Sequence, residues 1–155
     1  MNEVDSSAIS RRRCSEIMTK NVRTATRGTS LREAAVMMRD GDMGAVPVVD
    51  DGKLVGIVTD RDIIIRAIAE GRDAETPIGD AMTAELFTVG PDDFVFEAIR
   101  LMGDKQVRRI PVIGAGGELT GIIAMADVAL ETEDEREIAE TLEEISSGAS
   151  FWKKN

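Results

Sequence analysis

The stretch GIVTDRD, residues 56–62, ends a hydrophobic run with a glycine, two β-branched apolar residues, a threonine and two aspartates around an arginine. The chain writes the pattern again as GIIAMAD at residues 121–127, a shift of 121 minus 56, or 65. The glycine, the apolar pair and the last aspartate are kept, while Thr59 is replaced by Ala124. Something in this sequence asks for an aspartate twice and a hydroxyl once.

Working outward, the whole chain proves to be a tandem repeat. Met18-Thr19 falls on Met82-Thr83 at a shift of 82 minus 18, or 64, and the same shift pairs Thr24 with Thr88, Ala34 with Ala98, Met38 with Met102 and Pro47 with Pro111. The shift grows by one across the turns Asp50-Asp51-Gly52-Lys53 and Gly114-Ala115-Gly116-Gly117-Glu118, as a one-residue insertion in a hairpin loop requires. Within each copy the periodicity predicts a short strand (22–24 or 87–89), then a helix with Leu31, Ala34, Ala35 and Met38, or Val95, Ala98, Ile99 and Met102, on one face. A hairpin follows (45–49 with 54–58, or 110–113 with 119–123), and then a second helix near 60–70 or 125–133. The expected fold is mixed α+β, with two β-α-β-β-α repeats packed sheet to sheet about a pseudo-twofold axis, since each is too small to close its own core. The expected divisions are a flexible segment 1–13, a first repeat 14–71, a second repeat 72–132 and an acidic C-terminal helix and tail 133–155, with the break between Gly71 and Pro77.

Asp62-Ile63-Ile64-Ile65-Arg66-Ala67-Ile68-Ala69 is apolar on more than one stripe. Such a helix is sandwiched between the sheet and a neighbouring helix, turned toward a second copy of the chain, or both.

Composition narrows the function. Lys+Arg 19 against Asp+Glu 29 gives a net charge of -10, a field that repels nucleic acid and anionic membrane surfaces. The run Arg11-Arg12-Arg13 has no apolar stretch behind it and nothing later approaches a membrane span, so a cytoplasmic location is expected. Histidine is absent, which removes the usual general base, triad partner and commonest metal ligand; neither a catalytic nor a metal site is expected. The single cysteine, Cys14, has no intrachain partner and reads as incidental in a polar N-terminal segment.

For the repeated aspartate, helix capping explains the first copy: Thr59 is a good N-cap, with Asp62 three residues on. The second copy keeps Asp127 although Ala124 has no hydroxyl, so capping does not account for both. A carboxylate at a helix start, beside a glycine that lets something approach the backbone, suits a ribose 2′,3′ diol. Free N–H groups and the Thr59 hydroxyl would take a phosphate. Arg108 and Arg109, at the entrance to Ile110-Pro111, supply the cations; Gly44 and Ala45 are their counterparts. If the copies face each other, one site joins Thr59 and Asp62 to Arg108 and Arg109. The other joins Asp127 to Gly44 and Ala45, without hydroxyl or cations.

These residues carry a resemblance. GIVTDRD, GIIAMAD, VRRIPV, GAVPVVDDGKLVG and the Met-Thr of each copy together resemble a tandem pair of CBS domains, a Bateman module, over about residues 14–131. The resemblance implies binding of an adenosyl ligand (AMP, ADP or ATP, in some members NAD or S-adenosylmethionine) in clefts between the copies, with no obligatory cofactor. It implies that Asp62 holds ribose, that Thr59 lies near ribose and phosphate, and that Arg108 and Arg109 reach the phosphates. Disc-shaped homodimers and regulation of a partner protein follow in the same way. Ala124 and Gly44 depart from the pattern at the second site. The function expected is that of a non-enzymatic adenine-nucleotide sensor; the alternative is a ligand-independent dimeric scaffold.

Overall fold

The structure, a computed structural model, describes residues 11–131. The expected acidic helix and tail at 133–155 and the first ten residues lie outside that range. The described chain divides into two compact units.

One unit runs from Val22 to Leu86 and takes in Gly116–Leu119. Its first helix, α2 (Leu31–Gly41), is preceded by α1 (Cys14–Ile17) of the other unit in chain order. Ser30 caps α2 by accepting the Glu33 N–H at 3.1 Å, and Asp42, at φ 50°, ends it in the left-handed conformation. β1 (Ala45–Asp50) and β2 (Lys53–Thr59) form an antiparallel hairpin whose turn has positive φ at Asp51 and Gly52, the requirement of a type I′ turn. A bulge between Val48 and Val49 shifts the register, so Val48 faces Gly56 and Val49 faces Leu54. The expected strand at 22–24 contracts to a single parallel bridge from Ala25 to Val48. After β2 the chain makes one turn of α3 (Asp60–Asp62) and continues as a π-helix from Ile63 to Ile68. The Ala69 N–H reaches back five residues to the Ile64 carbonyl at 2.9 Å. Leu31, Ala34, Met38, Val46, Val48, Val58, Ala67 and Ile78 form the core, whereas Ala35, expected beside them, is exposed. Among the described residues the apolar excess of the second helix is not sandwiched: Ile64, Ile65 and Ile68 are 53%, 51% and 60% exposed.

Of the described residues, the other unit contains 11–21, Phe87–Ala115 and 120–131. It repeats the plan with α4 (Val95–Lys105), the β3 (Arg109–Ile113) and β4 (Leu119–Ala124) hairpin and α5 (Met125–Glu131). Its expected first strand is again a single parallel bridge, Val89 to Val112. Cys14, Val95, Ala98, Ile99, Met102, Ile110, Val112, Ile123 and Val128 are its core. Cys14 is therefore not incidental: it is fully buried, and burial first, then the charges of Asp93 and Glu97, pushes its thiol up to about 12.

The folded units are not coextensive with the sequence repeats, because each copy's leading segment is exchanged. Residues 74–77, expected to separate the copies, hold the start of α2 through Leu31 N–H to the Thr76 carbonyl (2.9 Å) and Arg32 N–H to the Ala74 carbonyl (3.0 Å). Ile78 then fills the first core, and Thr83 pairs with Ile57 on β2 through reciprocal backbone bonds of 2.8 and 2.9 Å. Residues 12–19 do the same for the second copy. The Val95 N–H bonds the Arg12 carbonyl at 2.7 Å, Cys14 enters the core, and Thr19 pairs with Ile122 at 2.8 and 3.0 Å.

Candidate functional site

The two strand-to-helix junctions can be built up from their glycines. A Cβ on Gly56 would stand 2.6 Å from the Met82 sulfur and 3.0 Å from the Thr83 carbonyl oxygen. On Gly121 it would stand 2.6 Å from the Met18 sulfur and 2.8 Å from the Thr19 carbonyl oxygen. What these glycines admit is the chain's own exchanged Met-Thr segment, lying across the strand, which the sequence reading had left open for a ligand.

At the first junction Thr59 and Asp62 cap each other reciprocally. The Thr59 N–H donates to Asp62 Oδ2 and the Asp62 N–H donates to Thr59 Oγ1, both at 3.0 Å. The Thr83 hydroxyl donates to both carboxylate oxygens, at 3.2 and 3.3 Å. Arg66 stands 3.7 Å from Oδ1 and also donates to the Met82 carbonyl at 3.2 Å. These partners allow Asp62, at 8% exposure, to be the buried charged residue of the described chain. The N–H groups expected to be free are in use: Asp60 N–H donates to the Gly44 carbonyl (3.0 Å), Arg61 N–H to the Asp60 carboxylate (2.8 Å) and Ile63 N–H to the Asp60 carbonyl. The Thr59 hydroxyl accepts from Asp62. An anion at this corner finds the backbone N–H groups taken and the Thr59 O–H as the remaining donor.

At the second junction Asp127 is half-buried and, among the described residues, accepts one hydrogen bond, from the Ala124 N–H to Oδ2 at 2.9 Å. Capping does explain both aspartates after all. The carboxylate receives the N–H of the residue three before it, and that half of the reciprocal cap needs no hydroxyl. Only the other half is lost with Ala124.

Within each unit the strand entrance adjoins the aspartate corner of the same copy. The Gly44 carbonyl binds Asp60 and Ala45 pairs with Thr59, while the Arg108 carbonyl accepts the Met125 N–H at 2.9 Å. The pairings expected from the sequence, Thr59 and Asp62 with Arg108 and Arg109, and Asp127 with Gly44 and Ala45, each draw on both units. Arg108 and Arg109 are exposed, and among the described residues neither guanidinium has a hydrogen bond, ion pair or ring contact. Thr83 and Arg66 are the residues that sequence reasoning missed. A signal for Thr83 lies in the sequence, since Met-Thr recurs in both copies.

Among the described residues no group of three or more acidic or cysteine side chains could hold a metal ion, and no helix is long and apolar enough to cross a membrane. The doubled corner, the paired hairpins and the exchanged leads define a tandem module, and comparison places it. The family model of the CBS domain matches residues 14–68 and again 78–134, so the chain belongs to the CBS domain family as a tandem pair. The CBS domain-containing protein YhcV of Bacillus subtilis is 37% identical over 131 residues, covering 84% of this chain and 93% of its own length. Among solved structures, CBSX2 in complex with AMP is similar at 28% identity and a TM-score of 0.69, over 76% of this chain and 93% of that one. The CBS domain pair of MJ0100, in complex with 5′-methylthioadenosine and S-adenosyl-L-methionine, is similar at 28% identity and a TM-score of 0.69, over 77% and 94%.

Proposed function

We propose that this CBS pair is a regulatory sensor for an adenine nucleotide or related adenosyl ligand, acting without catalysis on a partner protein or through a homodimer in the cytoplasm. The observation that carries the reading is the exposed pair Arg108 and Arg109. Two adjacent, exposed guanidinium groups without a side-chain partner among the described residues stand in a chain of net charge -10. They present a donor set suited to phosphate. The similarity to CBSX2 bound to AMP and to MJ0100 bound to adenosyl compounds supports the nucleoside part.

In this reading Asp62 accepts the ribose hydroxyls, Thr59 fixes Asp62 and lies near ribose and phosphate, and Arg108 and Arg109 take the phosphate. Since the first-turn N–H groups are occupied, the phosphate falls to the two arginines and to the Thr59 O–H, which stays available while its oxygen accepts from Asp62. Asp127 with Gly44 and Ala45 forms a second, weaker site. A charge-assisted hydrogen bond contributes about 1.5–3 kcal/mol, so a site without the arginines binds a nucleotide at least about tenfold more weakly.

Thermal shift with AMP, ADP, ATP, NAD and S-adenosylmethionine should raise the melting temperature for at least one of them. In calorimetry, Asp62→Ala should remove most of the binding and Arg109→Ala should weaken nucleotide far more than adenosine. Asp127→Ala should matter least; loss of the tight site in Asp127→Ala with retention in Asp62→Ala would reverse the assignment.

The exposed Ile64, Ile65 and Ile68 favour self-association whether or not a ligand binds. Should every ligand leave the melting temperature unmoved while light scattering gives a dimer, the module is a scaffold. A monomer mass at every concentration would reject the dimer.

A further inference from the structure

We infer that the Thr83 hydroxyl holds, on Asp62, the place that a ligand's ribose diol takes, so that binding at this corner is an exchange of one hydroxyl partner for another. The inference rests on the reading of Asp62 as the diol acceptor and adds a residue to it that comes from the other sequence repeat.

Thr83 Oγ1 lies 3.2 Å from Oδ1 and 3.3 Å from Oδ2 of Asp62, nearly equidistant, so one proton is shared between two acceptors. Both distances are long for an O–H···O bond, whose usual separation is about 2.7–2.8 Å. A vicinal diol brings two hydroxyls to the same two oxygens and can give each a shorter bond. The remaining partners of Asp62 do not stand in the way. The Thr59 N–H bonds Oδ2 from the chain's own backbone, and Arg66 approaches Oδ1 no nearer than 3.7 Å. With Asp62 at 8% exposure, the carboxylate is little hydrated, and Thr83 keeps it satisfied until a ligand arrives.

The exchange has a structural consequence inside this unit. Thr83 is held on β2 by its two backbone bonds to Ile57, and the preceding carbonyl, of Met82, is held by Arg66 from the π-helix. Releasing the hydroxyl loosens the Met82-Thr83 segment at the side chain, and the same Arg66 lies beside Ile65 on the exposed apolar face. Thr19, the counterpart in the other copy, is exposed and has no side-chain bond among the described residues, so that corner has no such exchange.

The test is calorimetry on the full chain with AMP and with its 2′,3′-dideoxy analogue. Thr83→Val removes the competing donor at nearly constant shape. It should lower the melting temperature of the free protein and bind AMP roughly three- to tenfold more tightly than the wild type, the range of one net hydrogen bond. The dideoxy analogue, having no diol to exchange, should bind both proteins alike. Thr83→Ser should bind AMP as the wild type does, and Thr19→Val should change neither affinity nor stability at this corner. AMP binding that is unchanged or weaker in Thr83→Val would overturn the exchange, as would an equal gain for the dideoxy analogue. If Asp62→Ala leaves AMP binding intact, the reading of Asp62 itself has failed, which is a separate result from any of these. Should Thr83→Val not fold, Thr83→Ala read against Thr83→Ser gives the same comparison.

Discussion

The two strand-to-helix corners share a backbone plan and differ in how completely their aspartate is engaged. Asp62 accepts from the Thr59 N–H and the Thr83 hydroxyl, lies near Arg66, and is buried; among the described residues Asp127 accepts from the Ala124 N–H alone, and it is half-buried. Both copies inherit the same glycine, because both must pass the Met-Thr segment across the strand. What diverged is the side-chain layer over that common backbone. The part of the motif that holds the fold is duplicated, whereas the part that saturates a buried charge is present once.

The largest effects should come from the shared layer. Gly121→Ala and Gly56→Ala each force a Cβ into a methionine sulfur at 2.6 Å and a carbonyl oxygen, and overpacking of this kind costs about 1–3 kcal/mol. Gly121 should be the worse position, because the Thr19 carbonyl stands at 2.8 Å and the Met18 Cγ also at 2.8 Å, against 3.0 Å for the Thr83 carbonyl at Gly56. Urea unfolding of the two variants would break the comparison if either were neutral, since the exchanged segment would then not lie where it does.

Next in size is the difference between the aspartates without ligand. Asp62→Ala strands a backbone N–H and a hydroxyl around a buried site, at a cost of about 1.5–3 kcal/mol, while Asp127→Ala loses one N–H partner in a more open place and should cost about 1 kcal/mol. The midpoint shift at unchanged slope in denaturant is the measure. Equal costs would mean that Thr83 and Arg66 contribute nothing to the first corner.

The sequence made the duplication legible because every apolar period and every turn recurs at a constant shift; the hairpins, both long helices and the aspartate corners follow from it. It did not show which copy each leading segment serves. Cys14 and Ile78 stand 64 residues apart at the same place in the repeat and are both fully buried, but a lead docked on its own copy and one docked on the other give the same pattern. The glycine was read as room for a ligand because the sequence shows an empty space and not what fills it. Likewise the missing hydroxyl of Ala124 hides the cap in the sequence, although the carboxylate half depends only on backbone.

The exchanged leads also differ in pH response. The buried Cys14 thiol is pushed up from 9.0 to about 12, while Ile78, its counterpart, has nothing to ionise. With the folded value raised, the unfolded state loses its proton first, so the contribution to stability is whole below pH 9 and is lost as pH rises toward about 12. Between pH 8 and about 10.5 the wild type should lose melting temperature faster than Cys14→Ala. Parallel curves would show that the thiol ionises as freely folded as unfolded.

The smallest effect is a gain, and it tests whether the second corner is an incomplete copy of the first. Ala124 occupies the N-cap position of α5, and the Asp127 carboxylate already receives its N–H at 2.9 Å. A threonine there would bring an oxygen toward the Asp127 N–H, the bond that Thr59 makes with Asp62 at 3.0 Å. Completing the cap should stabilise the protein by about 0.5–1 kcal/mol, and Thr59→Ala should cost a similar or larger amount, up to about 2 kcal/mol. Because Ala124 is half-buried, the added methyl and hydroxyl displace little that is packed. Ala124→Thr without a rise in the denaturation midpoint would mean that the second corner is shaped differently from the first, beyond the loss of one hydroxyl.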